Sequence, residues 1–196
     1  LEKKKGPKAV DAVLESYREH LLAKDEDGSM IDAAGPISLG TRLRSSKTRE
    51  AWRVITYEKG TWIMHMLRRQ MGDAAFLKLL REAVARHSLK ELTSAEFSKL
   101  AAELSPRGAP DPKLEVFMEN WVHGTGIPEL AITHATKLAR GRLVVVGTLK
   151  QSGVGEDFEA DVPVEIHYPR NVVQTHWVRS GKDPVAFEFS ATQRPV

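Results

Sequence analysis

The hydrophobic period of this 196-residue chain changes once, at Gly124-Thr125-Gly126-Ile127-Pro128. Before that point apolar residues recur every three or four positions, and after it every second position. The first spacing buries one stripe of a helix, the second one face of a strand. The chain therefore reads as α+β, with a helical part over residues 1–128 and a small antiparallel β part over 129–196.

Ala9, Val10, Val13, Leu14, Tyr17, Leu21 and Leu22 predict a helix over about 7–23. From Asp25 to Ser46 no period is sustained and Gly28, Gly35, Pro36 and Gly40 intervene, so a long loop is expected. Trp52, Ile55, Trp62, Ile63, Met66 and Leu67 mark a second helix over 47–71, with Ser46 as its cap and Gly72 as its stop. Asp73 is then expected to cap a third, carrying Phe76, Leu79, Leu80 and Val84. In Leu92-Thr93-Ser94-Ala95-Glu96-Phe97, Thr93 and Glu96 have the spacing of a capping box and Leu92 and Phe97 that of a hydrophobic staple. Asp111-Pro112 predicts one more helix start. Trp52, Trp62 and Trp121 fit core positions, whereas Trp177 fits either surface or core.

In the last third, Phe158, Ala160, Val162, Val164, Ile166 and Tyr168 alternate with polar residues, the pattern of a strand with one wet face. Pro163 places that strand at an edge or a bulge. Leu143 to Leu149, Val172 to Arg179, Val185 to Phe189 and Leu130 to His134 supply the other strands, which suggests an antiparallel sheet or a small sandwich. A further strand could begin at Arg194-Pro195-Val196, so the C-terminus reads as cut, and the absent initiating Met reads the same way.

Composition closes several routes. There is no cysteine, hence no disulfide or thiolate chemistry. Lys plus Arg is 29 against 26 Asp plus Glu, an excess too dilute for a nucleic-acid footprint. No window is apolar enough to span a membrane, the first residues do not read as a signal peptide, and nothing fixes the compartment. None of the seven histidines has another four residues away, so no self-contained zinc site is visible, and His65 reads as packed or partly exposed rather than as a ligand. Phosphate loops and serine-hydrolase elbows are also lacking.

One stretch carries more. Tyr57-Glu58-Lys59-Gly60-Thr61-Trp62, followed by Met71-Gly72-Asp73 and Phe76, and later Phe117 to Pro128 with Trp121, Gly126 and Pro128, resemble segments of the zinc aminopeptidases of the aminopeptidase N and leukotriene hydrolase type. The first resembles the family's Tyr-x-Lys-Gly helix opening, the second the join between its catalytic helices and a following β-sandwich. The resemblance covers nearly the whole chain. It implies that residues 1–128 are the helical second half of a thermolysin-like catalytic domain and that 129–196 are part of the next, truncated domain.

The family's His-Glu-x-x-His zinc helix, its later Glu ligand and its Gly-x-Met-Glu-Asn loop are not in this sequence. The resemblance thus implies zinc in the parent protein, no zinc site and no activity in this piece, a peptide substrate, and the upstream half of the catalytic domain as partner. The face left by that half favours self-association. One catalytic position carries over, Tyr57, whose phenol would donate to the oxyanion formed when a scissile carbonyl is attacked. On its residues alone Tyr57 reads instead as an interface tyrosine with an exposed hydroxyl. On an α-helical wheel it lies off the Trp52 and Ile55 stripe, and Gly60 offers close backbone approach. Two rivals stand beside this reading: a non-catalytic interaction scaffold of the same fold, and an unrelated adaptor. The loop over 25–46 would line the substrate cleft.

Overall fold

The computed structural model of the chain describes residues 2–45 and 47–196, without the Lys3 side chain. The chain forms two compact units, one up to Thr125 and one from Gly126 onward. The first is helical and the second antiparallel β, so the fold class is α+β.

In the helical unit a single turn, Glu2–Lys5, precedes α1, Pro7–Leu22. Helix α2 runs over 51–71 and is not uniform: Ala51–Arg53 is α, Val54–Lys59 is π and Gly60–Met71 is α again. Helices α3, Asp73–His87, and α4, Ser94–Leu104, follow, and α5 covers 115–123 with a π stretch at Met118–His123. Ile63, Leu67, Met71, Phe76, Leu79, Leu100, Leu114 and Phe117 form the shared core. Each comes from the apolar stripe of its own segment, so burying one stripe buries the others.

The α4 start has the capping box its sequence predicts. Thr93 Oγ1 accepts from the Glu96 N–H at 3.2 Å, and the Glu96 carboxylate accepts from the Thr93 N–H at 2.9 Å. Leu92 and Phe97 both pack against the helical core. Gly72 ends α2 with φ 77°, a left-handed position where a side chain would be strained.

Other starts differ from expectation. Helix α2 opens at Ala51, after Glu50 in a left-handed turn, and not at residue 47; the expected cap, Ser46, lies outside the described residues. Asp73 does not cap α3, because its carboxylate takes two N–H groups of Arg68 at 2.7 and 2.9 Å. A bidentate guanidinium is a stronger donor than a neutral amide, so the arginine wins. Past Asp111-Pro112 the helix waits until Glu115, since Leu114 is left-handed. Asp111 nevertheless accepts from the Phe117 N–H at 3.0 Å, capping from a distance. The segment 25–46 is not a featureless loop: Ile31–Ala34 and Ile37–Ser45 wind into 3₁₀ turns, the second kinked at Gly40. Such turns are too short to leave a period in the sequence.

The β unit holds five strands, β1 Glu129–Ala139, β2 Arg142–Ser152, β3 Ala160–Tyr168, β4 Val172–Ser180 and β5 Val185–Ser190. They form two antiparallel sheets, β1-β2-β5 and β3-β4. Val145, Leu149 and Phe187 from the first meet Val164, Ile166, Tyr168 and Val178 from the second in one core. Between β1 and β2, Ala139 faces Arg142, and Arg140 and Gly141 both have positive φ, as a two-residue hairpin turn requires. Gly147 has no room for a side chain, because a Cβ there would stand 2.3 Å from the Thr133 carbonyl and 2.4 Å from the Phe187 ring. Among the described residues no helix is long and apolar enough to cross a membrane.

Candidate active site

Tyr57 sits in the π stretch of α2 with its side chain turned outward; the residue is 58% exposed. The Gly60 N–H bonds to the Ile55 carbonyl, five residues back, which is the π pattern. That wider turn changes which side chains meet. Trp52 and Tyr57 touch edge to face, ring centroids 5.6 Å apart at 87°, although the α-helical wheel set them on different faces. The guanidinium of Arg44 lies 3.9 Å over the Trp52 ring from its other neighbour, the 3₁₀ segment. Trp52 is thus half-buried between a cation and the tyrosine, and Trp62 and Trp121 are half-buried too rather than full core residues. The Trp62 indole N–H donates to the Leu14 carbonyl at 2.9 Å, which ties α2 to α1.

The two residues after Tyr57 are buried and charged. The Glu58 carboxylate accepts from Arg53 Nη1 at 2.6 Å and lies 2.7 Å from His20 Nδ1 on α1. Lys59 Nζ lies 2.7 Å from the Asp32 carboxylate of the 3₁₀ segment, and both side chains are almost wholly buried, 3% and 2% exposed. A buried pair of this kind contributes little net stability but fixes geometry, because removing either charge strands the other. The turn is therefore pinned on two sides, to α1 and to the 3₁₀ segment, while the residue before the pins faces out. The Thr61 hydroxyl adds a bond to the Tyr57 carbonyl at 2.7 Å. Gly60 lets Ile37 approach: a Cβ there would meet Ile37 at 3.4 Å.

Among the described residues no three His, Asp or Glu side chains cluster as a ligand set would. His20 and Glu58 come together, but the second Glu58 oxygen is taken by Arg53. His65, half-buried on α2, packs edge to face with Trp62, and its ring is held below the usual histidine range by burial and then by Arg69 and Arg68. A groove of about 340 Å³ lined by Ile63, Met64, Phe97, Phe117, Met118 and Val122 is mainly apolar, with Thr93 and Ser94 of the α4 start on its wall.

Sequence reading singled out Tyr57, Lys59 and Gly60 but missed Asp32, Glu58, His20 and Arg53 as their supports. Only an acidic residue inside an otherwise unpatterned loop hinted at Asp32. The π turn left no sequence signal that a wheel drawn at one period could detect.

A Peptidase family M1 domain matches residues 7–121. Over 74 residues the chain is 32% identical to an aminopeptidase N of Lactococcus lactis subsp. lactis; the match takes in 38% of this chain and 8% of that protein. In three dimensions it is similar to a crystal structure of Legionella pneumophila aminopeptidase A in complex with aspartic acid, at a TM-score of 0.55 and 20% identity, over 93% of this chain and 21% of that one. That likeness is one of fold. The chain spans a small part of the length of both proteins.

Proposed function

From the premise that this chain belongs to peptidase family M1, we propose that it is a piece of a zinc-dependent metallo-aminopeptidase to which it contributes the oxyanion-stabilising Tyr57. Residues 1–128 are the helical second half of a thermolysin-like catalytic domain, and 129–196 are part of the β domain that follows. The zinc ligands and the general base belong to the upstream half, which is the partner of this piece. Peptides are the substrate, cleaved at their N-terminal residues. The piece alone hydrolyses nothing.

The observation that carries the reading is the combination of an exposed phenol with a pinned turn. A hydrogen-bond donor lowers a barrier only when it is held in place before charge develops, so that no reorganisation is needed at the moment of reaction. Here Glu58 and Lys59 do the holding and Tyr57 faces outward. As the carbonyl of the scissile amide becomes tetrahedral, its oxygen gains charge and the phenol O–H donates to it. A donor of this kind contributes about 2.7–4 kcal/mol to the transition state.

The test is Tyr57→Phe in the parent enzyme. Removing one hydroxyl keeps the ring and its contact with Trp52, so kcat should fall by about 10²–10³-fold with KM nearly unchanged. Unchanged kcat would remove Tyr57 from the mechanism, while a parent without peptidase activity would remove the enzymatic reading altogether. The face that the upstream half covers also makes this piece self-associate; a concentration-independent monomer in light scattering would contradict that.

A further inference from the structure

The stretch 42–53 holds the basic residues Arg42, Arg44, Lys47, Arg49 and Arg53 against a single acid, Glu50. Most of these cations have an acceptor close by. Arg53 binds Glu50 and Glu58, Arg42 Nε donates to the Leu39 carbonyl at 3.4 Å, and Lys47 and Arg49 flank Thr48, whose hydroxyl donates to the Asp25 carboxylate at 2.8 Å. Arg44 differs. It is exposed, no carboxylate among the described residues pairs with it, and its guanidinium lies 3.9 Å over the Trp52 ring. Stacking holds a guanidinium by its face and leaves free the N–H groups in its plane, the fork that matches a carboxylate with two bonds. A cation held this way loses less freedom on binding an anion than a loose one does. Trp52 also touches Tyr57, ring centroids 5.6 Å apart, and the phenol is exposed as well. The guanidinium therefore stands no more than about 10 Å from the Tyr57 ring, the length of about three extended residues.

We propose that Arg44 is a specificity-determining residue, which binds a carboxylate of the peptide substrate on the leaving side of the scissile bond, within about three residues of it. The inference rests on the functional reading of Tyr57, which sets the scissile carbonyl at the phenol. The side follows from charge. The first residue of an aminopeptidase substrate carries the free α-amino group, mostly protonated at neutral pH, and a cation beside it is repelled. The opposite end of a short peptide is negative. Its C-terminal carboxylate, or an acidic side chain at the same distance, presents two oxygens to the guanidinium fork. The 3₁₀ segment over Ile37–Ser45 thereby lines the substrate cleft through Arg44. A pairing of Arg44 with a carboxylate of the upstream half is the competing arrangement, and it would be blind to the charge of the peptide.

Steady-state kinetics of the parent enzyme on three peptides test the inference: Ala-Ala-Ala amide, Ala-Ala-Ala with a free C-terminus, and Ala-Ala-Glu amide. The unaltered enzyme should show a kcat/KM about tenfold higher for at least one carboxylate peptide than for the neutral amide, with the difference in KM. Which of the two shows it tells a C-terminal carboxylate from an acidic side chain. Arg44→Gln should bring that ratio down to about one, and Arg44→Lys, which keeps the charge but not the planar fork, to an intermediate value. An unaltered enzyme without any preference overturns the proposal. So does a preference that survives Arg44→Gln, including an equal loss on all three peptides, which would assign Arg44 to the upstream half. Arg44 is exposed, so both variants should keep the Tm of the parent. Failure here shows as lost discrimination by an active enzyme, whereas failure of the functional reading shows as unchanged kcat in Tyr57→Phe; a parent that cleaves no peptide removes both.

Discussion

Trp52 and Tyr57 meet edge to face with ring centroids 5.6 Å apart, five positions apart in a helix whose intervening turn is π. In an α-helix side chains three or four apart are neighbours and those five apart diverge. The π turn brings them together and aims the phenol away from the stripe that buries Val54 and Ile55.

The aromatic contact therefore orients Tyr57. Trp52→Ala should remove a pair worth about 0.5–1.5 kcal/mol beyond its area, and the Arg44 contact with it. Urea unfolding of this chain reads the loss. In the parent enzyme the same change should lower kcat by less than Tyr57→Phe does, and an equal or larger fall would mean that Trp52 acts on its own.

Lys59 and Asp32 make a different kind of test, because both are buried. Asp32→Ala strands the ammonium and should cost about 3–5 kcal/mol. Replacing both residues with apolar ones of similar volume, Asp32→Leu with Lys59→Met, should restore most of that stability. A double variant as unstable as the single one would mean that the pair is needed for more than charge balance.

Stability should also fall on mild acidification. Burial pushes the His176 ring below the usual histidine range, where it stacks on Phe189 with centroids 4.0 Å apart and its Nε2 is buried without a hydrogen-bond partner. His65 is shifted the same way. Each binds a proton less readily folded than unfolded, so the unfolded chain takes up more protons as pH drops below about 6.5. Stability present above that pH is lost until the folded pKa is passed. His176→Gln and His65→Gln should each flatten the Tm profile in this window. The carboxylates of Asp73, held low by Arg68, and Glu96, held low by Thr93, act at more acidic pH and should leave it unchanged.

At the start of α4, Thr93→Ala removes the cap and should cost about 1 kcal/mol, whereas Thr93→Ser should cost little. Denaturant midpoints of the two variants settle whether the hydroxyl or the methyl group is the stabilising part.

The sequence by itself determined what short-range periodicity can encode. The change from a helical to an alternating period gives the α+β class. The stripe of Ile63, Leu67, Phe76 and Leu79 gives the helical core, the alternation from Phe158 to Tyr168 gives β3, and Thr93 with Glu96 gives the capping box of α4. Only the tertiary structure decided the surroundings of Tyr57. Glu58 meets His20 across 38 residues of chain, and Lys59 meets Asp32 from a segment without any period. Such pairs depend on the path of the chain through space, and a buried charge is tolerated only after that path has brought its partner. The wheel misplaced Trp52 for a related reason, since one added residue in a turn shifts every neighbour after it. Local pattern thus fixed which segments are helices and strands, while long-range charge pairing fixed where the phenol points.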